Sequence, residues 1–199
     1  MLNKKIIFAK NLKDIKNSKY LLEVFMKKLV VIDMQNDFVD GSLGSEAAKA
    51  VVPRAAEKIK RYAADGAPII CTLDTHGKNY AETREGKFLP VPHCIEDTLG
   101  YRLNEKVLEA LAGAAESKLS FIKKSAFGTL EWGKFVNDGD EIELVGLCTD
   151  ICVVSNALIL KAMFPEMKIT VDAACCAGSS KEAHDAALTV MRSCQIEIA

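Results

Sequence analysis

The sequence predicts an α/β fold, doubly wound, with a mainly parallel six-stranded sheet and helices on both faces. Two observations lead there. From Met26 onward, apolar runs of strand length alternate with longer stretches whose apolar residues recur at helical spacing. Polar residues gather where the apolar runs stop: Asp33, Asp74, Lys123 with Lys124, and the turn from Cys148 to Cys152. Parallel strands joined by right-handed crossovers present all their carboxyl ends at one rim, and ligands of open α/β sheets bind at that rim.

The elements follow in order. Residues 1–25 are dense in Lys and Asn and read as a loosely ordered N-terminal extension ahead of a domain over 26–199. They lack a small-residue cleavage site behind an apolar core, so a secretory signal is not expected. Leu29–Asp33 is a first strand, and Glu46–Ala64 a helix with a bend or restart near Pro53. Pro68–Leu73 is a second strand closed by Asp74. Residues 75–101, which include Pro90 and Pro92, show no period and read as a long functional loop. Asn104–Ala112 is an amphipathic helix with Val107, Leu108, Leu111 and Ala112 on one face. Leu119–Lys123 is a third strand, Thr129–Val136 a short helix and Glu141–Leu147 a fourth strand. The turn Gly146–Val154 then opens a helix that stops at Phe164-Pro165. Lys168–Asp172 is a fifth strand. Ser179-Ser180-Lys181-Glu182 has a capping-box form, ahead of a face of Ala183, Ala186, Ala187, Val190, Met191 and Cys194. Gln195–Ile198 closes the sheet.

The totals narrow the function classes. With 199 residues, 49% of them apolar, the chain can bury one core rather than two. Its 26 basic and 27 acidic residues form no basic stripe, which argues against a nucleic-acid partner. No apolar run reaches the roughly 18 residues of a membrane span. Seven cysteines is an odd count, and most sit inside apolar runs, so buried thiols in a reducing cytoplasm are expected rather than disulfides.

Cys152 is the residue to explain. A thiol at a helix N-terminus faces unpaired N–H groups and the positive end of the helix dipole, which favour its thiolate and could hold an oxyanion. A cysteine nucleophile also needs a base and a nearby cation, and Asp33 with a lysine at 123 or 124 supplies both kinds of group. Only one of those two lysines can point inward, because strand side chains alternate. Asp74 and His76 lie two apart at a strand end, and His93 can reach them from the loop. Imidazole with carboxylate suits zinc, iron or manganese. His184, on the last helix, reads as a surface residue.

Three blocks, Ile32-Asp33-Met34-Gln35-Asn36-Asp37-Phe38, Lys124-Ser125-Ala126-Phe127-Gly128-Thr129 and Gly146-Leu147-Cys148-Thr149-Asp150-Ile151-Cys152-Val153, resemble in that order the signatures of the isochorismatase-like cysteine hydrolases. The resemblance runs from about Met26 to the C-terminus. It implies a triad of Asp33, Lys124 and Cys152, with Lys123 as the fallback, and a non-proline cis peptide at Leu147-Cys148. It also implies that the backbone N–H groups of Cys148 and Cys152 form an oxyanion hole. Asp74-x-His76 with Pro92-His93-Cys94 resembles the metal site of the nicotinamidases of this superfamily, which implies a divalent ion, zinc foremost, with Glu85 as a fourth ligand. The implied reaction is hydrolysis of a small carboxamide, nicotinamide foremost, through a thioester, with Phe38 walling the ring pocket and the protein self-associating. One position departs from the pattern: nicotinamidases often carry a ring-stacking tryptophan three residues before the loop histidine, and Pro90 stands there. The single tryptophan, Trp132, either packs in the core or serves the pocket from another side.

Overall fold

Six parallel strands form one sheet in the order β3-β2-β1-β4-β5-β6 in the computed structural model, which describes residues 26–199. The extension read over 1–25 lies outside the described residues. The strands are β1 (Lys27–Ile32), β2 (Ile69–Asp74), β3 (Leu119–Lys124), β4 (Glu141–Leu147), β5 (Lys168–Ala177) and β6 (Glu197–Ile198). The helices are α1 (Asn36–Val39), α2 (Glu46–Ala64), α3 (Arg84–Phe88), α4 (Glu105–Leu111), α5 (Val154–Met163) and α6 (Lys181–Ser193). The strand order reverses between β1 and β4, which opens a crevice at the carboxyl rim there.

The central strand shows why the runs are apolar throughout. Leu29 and Val31 pack with α2 and α4 on one face of the sheet, while Val30 and Ile32 pack with α5 and α6 on the other. A strand covered on both sides has no polar face to alternate with.

Several elements depart from expectation. Helix α2 runs unbroken through Pro53, which faces water, so the Lys49 carbonyl that loses its N–H partner can be solvated. On α4 the buried face is Val107, Ala110 and Leu111, with Leu108 turned outward; on α6 it is Ala187, Leu188 and Met191, with Val190 outward. The 129–136 stretch holds only one 3₁₀ turn, Glu131–Lys134, which buries Trp132 in the core. Strand β5 runs on to Ala177 past a register shift opposite β4. The chain around Cys152 forms a π-helical turn, Thr149–Val153, before α5 begins.

Under α2 lies a buried ionic cluster. Lys58 pairs with Glu143 of β4 and Asp172 of β5, the Tyr62 hydroxyl donates to Glu143, and Lys27 approaches Glu143 at 3.0 Å. Burial alone would raise the Glu143 carboxyl. The Lys58, Tyr62 and Lys27 partners outweigh it and hold the group at about 2, against an ordinary 4.5. A folded value below the unfolded one adds stability in full above about pH 4.5, lost as pH falls toward about 2. The urea midpoint should therefore drop from about pH 5 to about pH 3, and Glu143→Gln should flatten that drop while lowering the midpoint at neutral pH. Parallel midpoint curves for the two proteins would refute this assignment.

Candidate active site

Four strand ends converge at the rim. Asp33 follows β1 with φ +47°, an uncommon conformation for a residue other than glycine. Thr72 of β2 holds it there: the Asp33 backbone N–H donates to Thr72 Oγ1 at 3.2 Å, and the Thr72 hydroxyl donates to Asp33 Oδ1 at 2.6 Å. Lys124 ends β3, in register with Asp74 of β2. Its Nζ lies 2.7 Å from Asp33 Oδ2, 3.1 Å from Asp74 Oδ1 and 3.5 Å from Cys152 Sγ. Lys123 points the other way, with a side chain 60% exposed and paired to Glu96. The inward lysine is thus Lys124.

Gly146 lets β4 approach this corner. Its φ is +128°, and a Cβ there would stand 2.0 Å from the Ile32 carbonyl oxygen, one residue before Asp33. The Leu147-Cys148 peptide is cis, as the resemblance implies. Cys152 is buried, and its backbone carbonyl accepts from the side-chain amide of Asn156 at 2.8 Å.

The electrostatics follow from two carboxylates sharing one ammonium. Asp74 also faces two imidazoles. Burial would raise its carboxyl, but the His76 and His93 contacts and the Lys124 charge hold it well below the usual carboxylate range. Asp33 has only Lys124 and the Thr72 hydroxyl, and there burial prevails and raises the carboxyl. Burial would lower the Lys124 ammonium, yet Asp33, the Cys152 sulfur and Asp74 keep it charged. Burial, reinforced by Asp33, pushes the Cys152 thiol well above the ordinary thiol value, with Lys124 opposing. Exclusion of water and a facing carboxylate thus work against the thiolate that a helix end alone would favour.

Asp74, His76 and His93, all buried, bring ligand-type atoms within 4.8 Å of one another. Glu85, in the first turn of α3, places Oε1 3.5 Å from His93 Nε2 and 3.7 Å from His76 Nε2. His93 Nδ1 donates to the Val91 carbonyl at 2.8 Å, which fixes the ring with Nε2 3.5 Å from Asp74 Oδ2. Two imidazoles and one or two carboxylates converging on one point fit a divalent cation. Between this cluster and Cys152 opens a slot lined by Phe38, Leu43, Leu89, Phe127, Cys148 and Ile151, and the Phe38 ring packs against His93 at 5.5 Å between centroids.

Pattern reading missed the residues that hold these groups. Gln35 is fully buried; its amide donates to the carbonyls of Asp74 and Tyr101 and its oxygen accepts from Asp74 N–H. Tyr80 packs on both imidazoles and donates its hydroxyl to the Leu89 carbonyl. His184 is tied to the π-helical turn that carries Cys152, with Nδ1 2.8 Å from the buried Thr149 hydroxyl, rather than free on the surface. Gln35 and Thr149 sit inside quoted blocks; Tyr80 carries no periodic signal.

Comparison with known proteins identifies the family. Residues 27–199 match the Isochorismatase domain family. The chain is 31% identical over 172 residues to an uncharacterized isochorismatase family protein of Bacillus subtilis, covering 82% of this chain and 92% of that one. It is 29% identical over 185 residues to the nicotinamidase/pyrazinamidase of Mycobacterium tuberculosis, covering 87% and 98%. The pyrazinamidase of Pyrococcus horikoshii, solved in complex with zinc, superimposes with a TM-score of 0.73 at 25% identity, covering 87% and 98%. The chain belongs to the isochorismatase family.

The charge balance makes a test possible without any substrate. Asp33→Asn removes the carboxylate that opposes ionisation of Cys152 and leaves the Lys124 charge facing the sulfur, and asparagine tolerates the left-handed backbone. Alkylation of Cys152 by iodoacetamide near neutral pH should then speed up by about tenfold. A rate equal to or below that of the wild type would show that Asp33 does not hold the thiol protonated.

Proposed function

We propose that this chain is a nicotinamidase-like amide hydrolase that converts nicotinamide and water to nicotinate and ammonia through a thioester on Cys152. The observation that carries this reading is the contact of Lys124 with Asp33, Asp74 and Cys152, at the mouth of a slot that ends at Asp74, His76 and His93. Membership of the isochorismatase family and the nicotinamidase/pyrazinamidase relative support it.

The steps follow from which groups face one another. Asp33, with raised proton affinity, takes the Cys152 proton as the sulfur attacks the carboxamide carbon. The N–H groups of Cys148 and Cys152 receive the developing oxyanion, and the fixed Lys124 charge offsets the new negative charge. Asp33 returns its proton to the departing nitrogen, which leaves as ammonia. It then takes a proton from the water that attacks the thioester, and nicotinate departs as the thiol is restored.

Asp74, His76 and His93, with Glu85, are the residues that would hold a divalent ion. The donor set suits zinc foremost, and iron or manganese as well. When bound, the ion supplies a Lewis-acid site for a substrate ring nitrogen or a water. Phe38 packs against His93 and would wall the ring.

The slot walls also select by charge. Phe38, Leu43, Leu89, Phe127, Cys148 and Ile151 offer no cation, and Lys124 is already paired with two carboxylates. Those walls favour an uncharged substrate body, and a charged group on the substrate would find a partner only at the metal-holding end. A second reading is favoured by one observation, the proline at position 90 where a stacking tryptophan is common. With Leu89 and Phe127 as that wall, the enzyme would take another neutral small carboxamide or ureido compound. The expected setting is cytoplasmic, which seven unpaired thiols support, and no described helix is long and apolar enough to cross a membrane. The resemblance supports self-association.

Ammonia release from nicotinamide should exceed that from a panel of neutral amides and ureido compounds, and Cys152→Ala should lower it by about a thousandfold or more. Activity retained in Cys152→Ala would end the thioester route, and preference for another amide would move the reading to the second substrate class. Elemental analysis of the purified protein should find about one divalent ion per chain, falling by about tenfold or more in His76→Ala and His93→Ala. Equal metal content in wild type and variants would place the ion elsewhere.

A further inference from the structure

Asn156 lies on the first turn of α5, four residues after Cys152, and is wholly buried. Its side chain makes three hydrogen bonds. Nδ2 donates to the Cys152 carbonyl at 2.8 Å and to the Phe127 carbonyl at 3.1 Å, and Oδ1 accepts from the Thr129 backbone N–H at 3.1 Å. Both ends of the Phe127-Gly128-Thr129 segment are thus tied, through one amide, to the main chain of the nucleophile. The segment rides close on α5: a Cβ at Gly128 would meet Ile159 Cδ1 at 2.5 Å. Phe127 lines the slot, and its segment begins three residues after Lys124.

We propose that Asn156 is a positioning residue that sets one wall of the substrate slot, Phe127, at a fixed place relative to the sulfur of Cys152. This rests on the hydrolase reading above. A side-chain amide suits the task because it is the one neutral group that offers two donors and an acceptor in one plane, matching two carbonyls and an N–H. A buried network with every member satisfied is stiff, so the nucleophile and the wall move together. The arm to Cys152 governs where the sulfur stands, and the arm to residues 127–129 governs how Phe127 closes on the substrate.

The two arms can be separated. Asn156→Ser keeps a hydroxyl that can donate to the carbonyl four residues back, the Cys152 carbonyl, and it is too short to bridge to 127–129. It should raise KM about tenfold while kcat falls less than about threefold. Asn156→Ala loses both arms. It should raise KM likewise, lower kcat by about tenfold and change the rate of Cys152 alkylation by iodoacetamide, which Asn156→Ser leaves near the wild-type rate. In a Phe127→Ala background Asn156→Ser should no longer raise KM, since the wall it positions is gone. This comparison stands even if Asn156→Ala fails to fold. Kinetic constants equal to wild type in the serine variant, or a KM increase that persists unchanged without the Phe127 ring, would overturn the proposal. A wild-type protein that releases no ammonia from any amide of the panel would overturn the hydrolase reading instead. The alkylation contrast between the serine and alanine variants would then still decide the role of Asn156.

Discussion

One cation governs the rim of this sheet. The Lys124 ammonium is buried with two carboxylates and a thiol, and it reaches all three only because β3 pairs with β2 so that Lys124 stands beside Asp74. A slip of one residue in that register would turn Lys124 outward and bring Lys123 in, with every other side chain of β3 changing faces too. Without the ammonium, Asp33 and Asp74 would be left as neighbouring buried charges, a cost of several kcal/mol each. The pairing of two strands therefore decides whether the site exists.

Asp74 joins the two halves of the site. Oδ1 meets Lys124 while Oδ2 faces His76 and His93, so the Lys124–Cys152 corner and the histidine cluster share a carboxylate. Its backbone is clamped by the Gln35 amide, which hydrogen-bonds both its N–H and its carbonyl. The same division of labour recurs at each strand end: Thr72 holds Asp33, Gln35 holds Asp74, and Asn156 holds Cys152. None of these three carries charge. Each satisfies buried polar groups around a charged or reactive neighbour without adding a charge that would itself need a partner.

Much of the architecture was readable because it depends on local pattern. Strands covered on both faces are apolar where they cross the core, and residues 29–32 of β1, 69–71 of β2 and 144–147 of β4 are. Strand β3 lies at the sheet edge and is mixed, which is why alternation could say that one of two lysines points inward and not which. The long segment between β2 and α4 showed no period because its helical pieces, a 3₁₀ turn at Tyr80–Glu82 and the five-residue α3, are too short to show one, and side-chain contacts hold the rest, Tyr80 on the imidazoles and Asp37 on the Cys94 N–H.

The amino-acid order by itself determined the parallel sheet, the four polar strand ends and the acid, amine, thiol and imidazole groups placed there. It could do so because burial on two faces and carboxyl-end placement follow from short-range pattern and chain handedness. Tertiary structure alone decided which lysine faces the sulfur, and burial there raised the proton affinity of Asp33 and of Cys152. Those properties depend on distances of about 3 Å between residues from different strands and on exclusion of water, and neither is written in the neighbours of any one residue.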